Sequence, residues 1–316
     1  MLILATVSDT RRLGVILDLE SGRLADIPAQ SAFLDTAIRD RPPLRPFGIT
    51  WNRRELFVAN HRKLLVLDRR LRYLRTLSTP LQANVHQLSY GRGRVWAVSP
   101  WTNSLIGVQT CGRSEPVELD LLNVRLRPYV HRSATVADDE NHFNSLLWAD
   151  QWLFVAAHNF GPTSFILRLD AASLHLDHTI ESAGHSIHGL AWDSGELMWI
   201  STMTGDIRSD RGYSVPLSRA GYARGFAVTR EYFVVAFSEF LRRGRRHTGD
   251  SWVQLINRTS GVAVEEFHLE GTGSINDLRL LDCVDLAHGI DPFWAASPAD
   301  ALRLISDVTE PDPRLP

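Results

Sequence analysis

Three histidines, His86, His142 and His188, stand at or beside the start of short apolar segments in three separate parts of the chain. Imidazoles brought from separate segments to one point can hold a divalent metal and leave a coordination position open. Such a centre makes a bound hydroxide near neutral pH or polarises a carbonyl. Zinc is the default occupant, although iron, copper and nickel also accept imidazole. Without a metal, the same histidines would bridge waters in a cavity. Arg224 occupies the matching position in a further segment, where its planar fork suits a substrate carboxylate or phosphate. Its alternative is a structural pair with Asp277 or Glu239. Tyr90, Tyr222 and Asp277 are the nearest candidates for proton transfer.

These side chains meet only if the segments carrying them are repeated units. Five segments share one pattern: Phe47-Gly48-Ile49 leads to Leu56-Phe57-Val58-Ala59, and His86-Gln87-Leu88 to Val95-Trp96-Ala97-Val98. Asn144-Ser145-Leu146, His188-Gly189-Leu190 and Arg224-Gly225-Phe226 each lead to a similar second run. An apolar strand, a polar tight turn and a second strand rich in aromatic and β-branched residues make a hairpin. A third strand follows in most copies, such as Leu64–Asp68 or Phe165–Leu169. This periodicity is that of propeller blades. A sixth copy starts at Asn276-Asp277-Leu278 without a second strand, and Ile3–Val7 with Gly14–Leu19 supply what it lacks.

The expected fold is therefore all-β: a six-bladed β-propeller forming one domain over 1–316. Its blades start near 47, 86, 144, 188, 224 and 276, and strands within 2–26 close the last blade with the C-terminal strand. A β-sandwich also has short strands, but does not repeat one hairpin at fixed offsets. Only 31–40 and 298–305 could make a turn or two of helix.

In a propeller the first strand of each blade lines the channel. Phe47, His86, Asn144, His188, Arg224 and Asn276 share one repeat offset and are expected to ring its mouth. Phe47, Asn144 and Asn276 would join Arg224 in holding substrate. The strand period of 2 places His142 on the face of Asn144, nearer the mouth. Calcium is disfavoured, since the ring offers two amides beside a fixed cation rather than several carboxylates. His61, His158, His178, His247 and His268 are expected in loops or outer strands without a role, and His185 is left undecided. The loop at 238–250, with Arg242, Arg243, Arg245 and Arg246, and the connection 120–141, ending in Asp138-Asp139-Glu140, should both emerge on the ligand face, where their opposite charges could pair them or the basic loop could bind an anionic ligand; plain solvated loops are the favoured reading over either.

Composition bounds the function. Of 316 residues 44% are hydrophobic and 22% charged, enough for a sizeable core. A net charge of −2 removes the electrostatic case for a nucleic-acid or anionic-membrane partner. Two cysteines are too few for a disulfide framework and fit a reducing, cytoplasmic setting. No basic region precedes the apolar start Met1–Ala5, so no signal peptide is expected. Gly-x-Ser-x-Gly, Walker and dinucleotide motifs are absent, so no nucleotide cofactor is expected.

The stretch His86–Trp96 with Asn103–Ile106, and His188–Trp192 through Trp199, resembles blades of the streptogramin-lyase type. That resemblance implies a lyase with a divalent metal, and the related peptide-amidating lyases imply zinc on three histidines from different blades. His142-Phe143-Asn144 and Ala223-Arg224-Gly225 also resemble motifs of an uncharacterised bacterial propeller family, which implies no activity. The expected function is a metal-dependent lyase or hydrolase acting on a small anionic or carbonyl-containing substrate at the mouth. The alternative is a propeller that binds a small ligand or a protein without catalysis. A purely structural role would follow if Phe47 and its neighbours plugged the channel.

Overall fold

The computed structural model describes residues 1–9, 11–34, 44–77, 81, 84–111, 115–130, 138–160 and 162–294, apart from the side chain of Arg243. They form six antiparallel sheets in a ring, a six-bladed β-propeller. The first complete blade is β4 (Pro46–Trp51), β5 (Leu56–Asn60), β6 (Lys63–Leu67) and β7 (Tyr73–Thr76). The next runs from β8 (Leu88–Gly91) through β9 (Arg94–Ser99), β10 (Ser104–Gln109) and β11 (Val117–Asp120) to a fifth strand, β12 (Arg125–Pro128). That strand is mostly exposed and polar, so no apolar alternation marks it in the sequence.

The third blade is β13 (Phe143–Ala149), β14 (Trp152–Ala157), β15 (Ser164–Asp170) and β16 (Leu176–Gly184). The fourth is β17 (Ile187–Asp193), β18 (Glu196–Ser201), β19 (Asp206–Ser209) and β20 (Ser214–Pro216). The fifth is β21 (Tyr222–Val228), β22 (Tyr232–Ser238), β23 (Ser251–Asn257) and β24 (Ala263–Leu269). The sixth joins β25 (Ile275–Leu280) to β1 (Leu2–Val7), β2 (Arg12–Asp18) and β3 (Leu24–Pro28). Its inner strand comes from the far end of the chain, with Ile3 opposite Leu280 and Thr6 opposite Asp277. Closure of this kind leaves only the short edges of the outermost strands. Of the two expected helical stretches, Ser31–Phe33 is a single 3₁₀ turn, while 35–40 and 298–305 lie outside the described residues.

Six apolar clusters hold the blades, one between each neighbouring pair. The buried aromatic and β-branched residues of the second strands supply much of them, such as Phe57, Phe154, Val234 and Trp199. Towards the axis a belt of polar side chains does the joining. The Asp277 carboxylate accepts Ile49 N–H at 2.9 Å, Gln87 Oε1 accepts Leu146 N–H at 2.8 Å, and Ser145 Oγ accepts Gly189 N–H at 3.0 Å. Thr202 then donates to Ala223 O at 2.7 Å, and Ser238 Oγ accepts Ile275 N–H at 2.9 Å. Each bond satisfies a backbone group that the blade's own ladder leaves over.

Gly48 sits where two blades come closest. A Cβ there would stand 2.2 Å from the backbone nitrogen of Leu88. Gly48→Ala should lower stability by about 1–3 kcal/mol through blade displacement; an unchanged thermal midpoint would contradict this tight approach.

The end of the channel opposite the starts of the inner strands is crossed by residues 281–294. Leu286 exchanges backbone bonds with Trp192 and Val228, His288 Nε2 meets Thr50 Oγ1 at 2.9 Å, and Trp294 donates to Arg69 O at 2.8 Å. Asp285 accepts N–H groups from Val228, Leu280 and Ala287. Above this strap Arg279, 1% exposed, pairs with Asp277 at 3.3 Å. No helix among the described residues is long and apolar enough to cross a membrane.

Candidate functional site

Five of the six blades mark the shared offset with one backbone device, the blade of His86 being the exception. Pairing of the first two strands slips at Phe143/Ser145, His188/Leu190, Ala223/Gly225 and Pro46/Ile49, and β25 slips against β1 at Asp277/Ile275. Asn144, Arg224, Asn276 and the Phe47-Gly48 pair are thus the bulge residues of their strands, and His188 adjoins one at Gly189. A bulge leaves the extra residue out of the ladder and re-aims its side chain. This directs the ring residues to the mouth.

Around the mouth runs an arc of rings in contact. Phe47 stacks on His86 with centroids 5.3 Å apart, and His86 meets His142 at 4.9 Å. His142 meets His158 at 5.2 Å, His158 meets His188 at 5.4 Å, and His188 meets Tyr222 at 5.7 Å. Guanidinium groups flank both ends: Arg45 lies 4.9 Å from the Phe47 centroid, and Arg224 and Arg246 lie 4.4 and 5.4 Å from that of Tyr222. The mouth is therefore aromatic, cationic and rich in imidazole.

The imidazoles are held in chosen tautomers. Thr202 gives its hydroxyl proton to Ala223 O, so its oxygen accepts from His188 Nδ1 at 2.9 Å, and Ser186 O accepts at 3.0 Å. His188 Nδ1 thus carries the proton, and Nε2 presents a lone pair that is buried and has no hydrogen-bond partner. His142 Nδ1 donates to the buried Asp139 carboxylate at 2.6 Å, while the other Asp139 oxygen accepts His142 N–H at 2.9 Å. Asn84 Nδ2 faces His86 Nε2 at 3.3 Å. Burial, then the neighbouring cations, pushes the pKa of His86 and His188 well below the ordinary histidine value and that of His158 down to about 3. These three rings are neutral at pH 7.

Arg224 is the counterpart. Its Nε is buried without a partner, and its Nη1 only approaches Asn276 Oδ1 at 3.5 Å. The structural pairs considered for it are not made: Asp277 is taken by Arg279, Ile49 and Gln87, and Glu239 accepts from Asp250 N–H. Asn276 and Asn144 both lean on the next blade, donating to Pro46 O at 2.7 Å and Ile187 O at 2.9 Å. Asn144 Oδ1 remains without a partner.

Several sequence expectations change here. His142 reaches the arc by another route than strand alternation: its φ is +50°, so it precedes the extended strand in a left-handed turn. Asn84 and Ser186, also two residues before their ring positions, share that conformation with φ of 69° and 58°. Tyr90 lies four residues along its strand from His86, packed against the apolar cluster between two blades, and is not at the mouth. Asp277 is one residue from the ring but is fully engaged in the polar belt, so it is structural. Tyr222 is in place. His158, assigned no role from sequence, sits between His142 and His188, because the hairpin register that pairs Phe143 with Ala157 carries His158 N–H to His142 O at 3.2 Å. Counting back from the Asp150-Gln151 turn would have found it. Asp139 turns to His142 rather than to the basic loop; residues 131–137 of that connection lie outside the described residues.

The donor chemistry suits a metal, with a neutral ring and a bare Nε2 at His188. The placement does not: among the described residues no three histidine, cysteine, aspartate or glutamate side chains are grouped to hold a metal ion. As placed, the arc is suited to gripping an anion and to moving a proton at His142.

No family model matches the sequence, and no curated protein matches it. Solved propellers do. A chain of the nidogen/laminin complex aligns with a TM-score of 0.60 at 11% identity, over 88% of this chain and 97% of that one. A Bacteroides caccae protein of unknown function aligns with a TM-score of 0.55 at 10% identity, over 88% and 97%. Virginiamycin B lyase from Staphylococcus aureus is also among the neighbours, with a TM-score of 0.46 at 10% identity over 71% and 84%. At these identities the first two likenesses, with TM-scores of 0.60 and 0.55, support the fold and leave chemistry to the site.

Proposed function

We propose that the mouth binds a small anionic ligand, held by Arg224 against the aromatic arc. The supporting observation is the state of Arg224: a fixed guanidinium with a buried Nε lacking a partner, no carboxylate beside it among the described residues, and neutral imidazoles on the same wall. Arg224 is half-buried, and a buried Nε–H left without an acceptor is costly, so an anion that accepts from it relieves that cost. Asn276 and Tyr222 shape the same end of the cup.

Calorimetric titration of the purified chain with acetate, succinate and inorganic phosphate tests this. At least one should bind, and Arg224→Gln should weaken that binding by about tenfold or more, the loss expected for a charged hydrogen-bond donor. Binding equal in wild type and Arg224→Gln would falsify the reading, as would no binding of any of the three.

The Asp139–His142 bond favours a second reading, in which the bound anion is also a substrate. A carboxylate that fixes Nδ1–H leaves Nε2 free to take a proton from a carbon beside a carbonyl or from an attacking water, the first step of a lyase or a hydrolase. Asp139→Asn should then lower turnover by more than tenfold while leaving anion affinity within about twofold; equal loss of both would assign Asp139 to binding alone. The metal expected on His86, His142 and His188 is tested separately, by zinc titration of the tag-free chain and of His188→Ala.

A further inference from the structure

Large apolar side chains exposed singly need no explanation, but several on one face beside a candidate site do. Phe160 is 59% exposed, Met203 51% and Phe240 61%. They come from three successive blades and from the same loop of each, the one joining the second and third strands. In those hairpins His158 stands opposite His142, Thr202 opposite Ser186 and Ser238 opposite Tyr222. Phe160 and Phe240 each lie two residues past these positions and Met203 one, so all three stand on the mouth face.

The rim is continuous with the arc. Phe160 touches His142 with centroids 4.8 Å apart, and Phe240 touches Tyr222 at 5.9 Å, whose ring Arg224 covers. Passing inward, the surface changes from exposed hydrocarbon to imidazole to the Arg224 guanidinium with its buried Nε. His158 and His188 bring no charge at pH 7.

We propose that the ligand is an amphiphilic monocarboxylate, a single carboxylate on an aliphatic or aryl body. Its carboxylate meets Arg224 and its apolar part lies on Phe160, Met203 and Phe240. The carboxylate is matched to Arg224, whose Nε is buried without a partner, whereas Arg246 Nε donates to Leu241 O at 3.5 Å and Arg45 lies at the far end of the arc over Phe47; the rim shields the apolar body from water. This inference rests on the anion-binding reading and narrows it.

The test is calorimetric titration of the full chain with acetate, octanoate, 1-octanol and octyl phosphate, each below its aggregation concentration. Octanoate should bind at least tenfold more tightly than acetate, and 1-octanol should not bind. Phe160→Ser/Phe240→Ser, at two exposed positions, should lose at least tenfold for octanoate, keep its affinity for acetate and keep its thermal midpoint. Equal affinity for acetate and octanoate overturns the amphiphile while leaving the anion site standing. Equal affinity for octanoate and 1-octanol, or tighter binding of octyl phosphate than of octanoate, overturns the carboxylate assignment. Octanoate binding that is the same in Arg224→Gln overturns both readings.

Discussion

Arg279→Leu is expected to destabilise the propeller by about 3–5 kcal/mol, the usual result of stripping one partner from a buried ion pair. Arg279 is 1% exposed, bonded to Asp277 and to the carbonyls of Phe226 and Leu278. It opposes the effect of burial on both Asp277 and Asp285, whose carboxyls are raised, the latter to about 6. Without the guanidinium two carboxylates share a dry interior with backbone N–H groups and the Gln87 amide, and no charge, to hold them. Urea unfolding followed by tryptophan emission is a suitable measurement, since the chain carries nine tryptophans. Adding Asp277→Asn to Arg279→Leu should recover part of the loss, because the amide still accepts Ile49 N–H without its charge. Loss of less than about 1 kcal/mol in the single variant would mean that water reaches the pair.

The second large effect is on acid stability. His86, His158, His188 and His288 all have folded pKa values below the ordinary 6.5, burial being the first cause in each. Below about pH 6.5 the unfolded chain takes up protons that the folded chain refuses, so stability falls as pH falls, by about 1.4 kcal/mol per imidazole per pH unit. Asp277 and Asp285 work the other way. Their raised pKa values make the folded state hold protons that the unfolded state releases above about pH 3.8, in the case of Asp285 up to about 6, so acid favours the fold through them. Four imidazoles outweigh two carboxyls, leaving a net loss of stability as pH falls from 6 to 5. Chemical denaturation at pH 7.5, 6 and 5 measures it, and His188→Gln should flatten the slope by about one proton. A stability independent of pH across that range would mean that the imidazoles are wet and titrate normally.

The ring was legible in the sequence because each blade must bury a hairpin on both faces, and two buried faces demand apolar runs at a steady repeat. The offset from Phe47 to Asn276 was legible for the same reason, although bulges, which no residue pattern announced, do the aiming. His142 was found by an argument from strand alternation that its left-handed backbone does not obey. Tyr90 and Asp277 show the limit of proximity along the chain: one lies too far along its strand, and the other is consumed by Arg279 and the belt. His158 was hidden because its contact arises from register across a hairpin, and Asp139 because it acts through His142. The strap at 281–294 has neither period nor motif, only scattered anchors such as His288 and Trp294, and these mean nothing until the floor they cover exists.

Pairing of residues 2–7 with 275–280 has a kinetic consequence. During synthesis the amino-terminal hairpin leaves the ribosome with its inner edge bare and keeps it bare until some 270 further residues have been made. Until then five blades can stack but cannot lock, and that waiting edge is open to any extended segment that reaches it first. Assembly of this protein is therefore most vulnerable to wrong partners just before the last inner strand arrives, and a chaperone that masks β1 would act at that point.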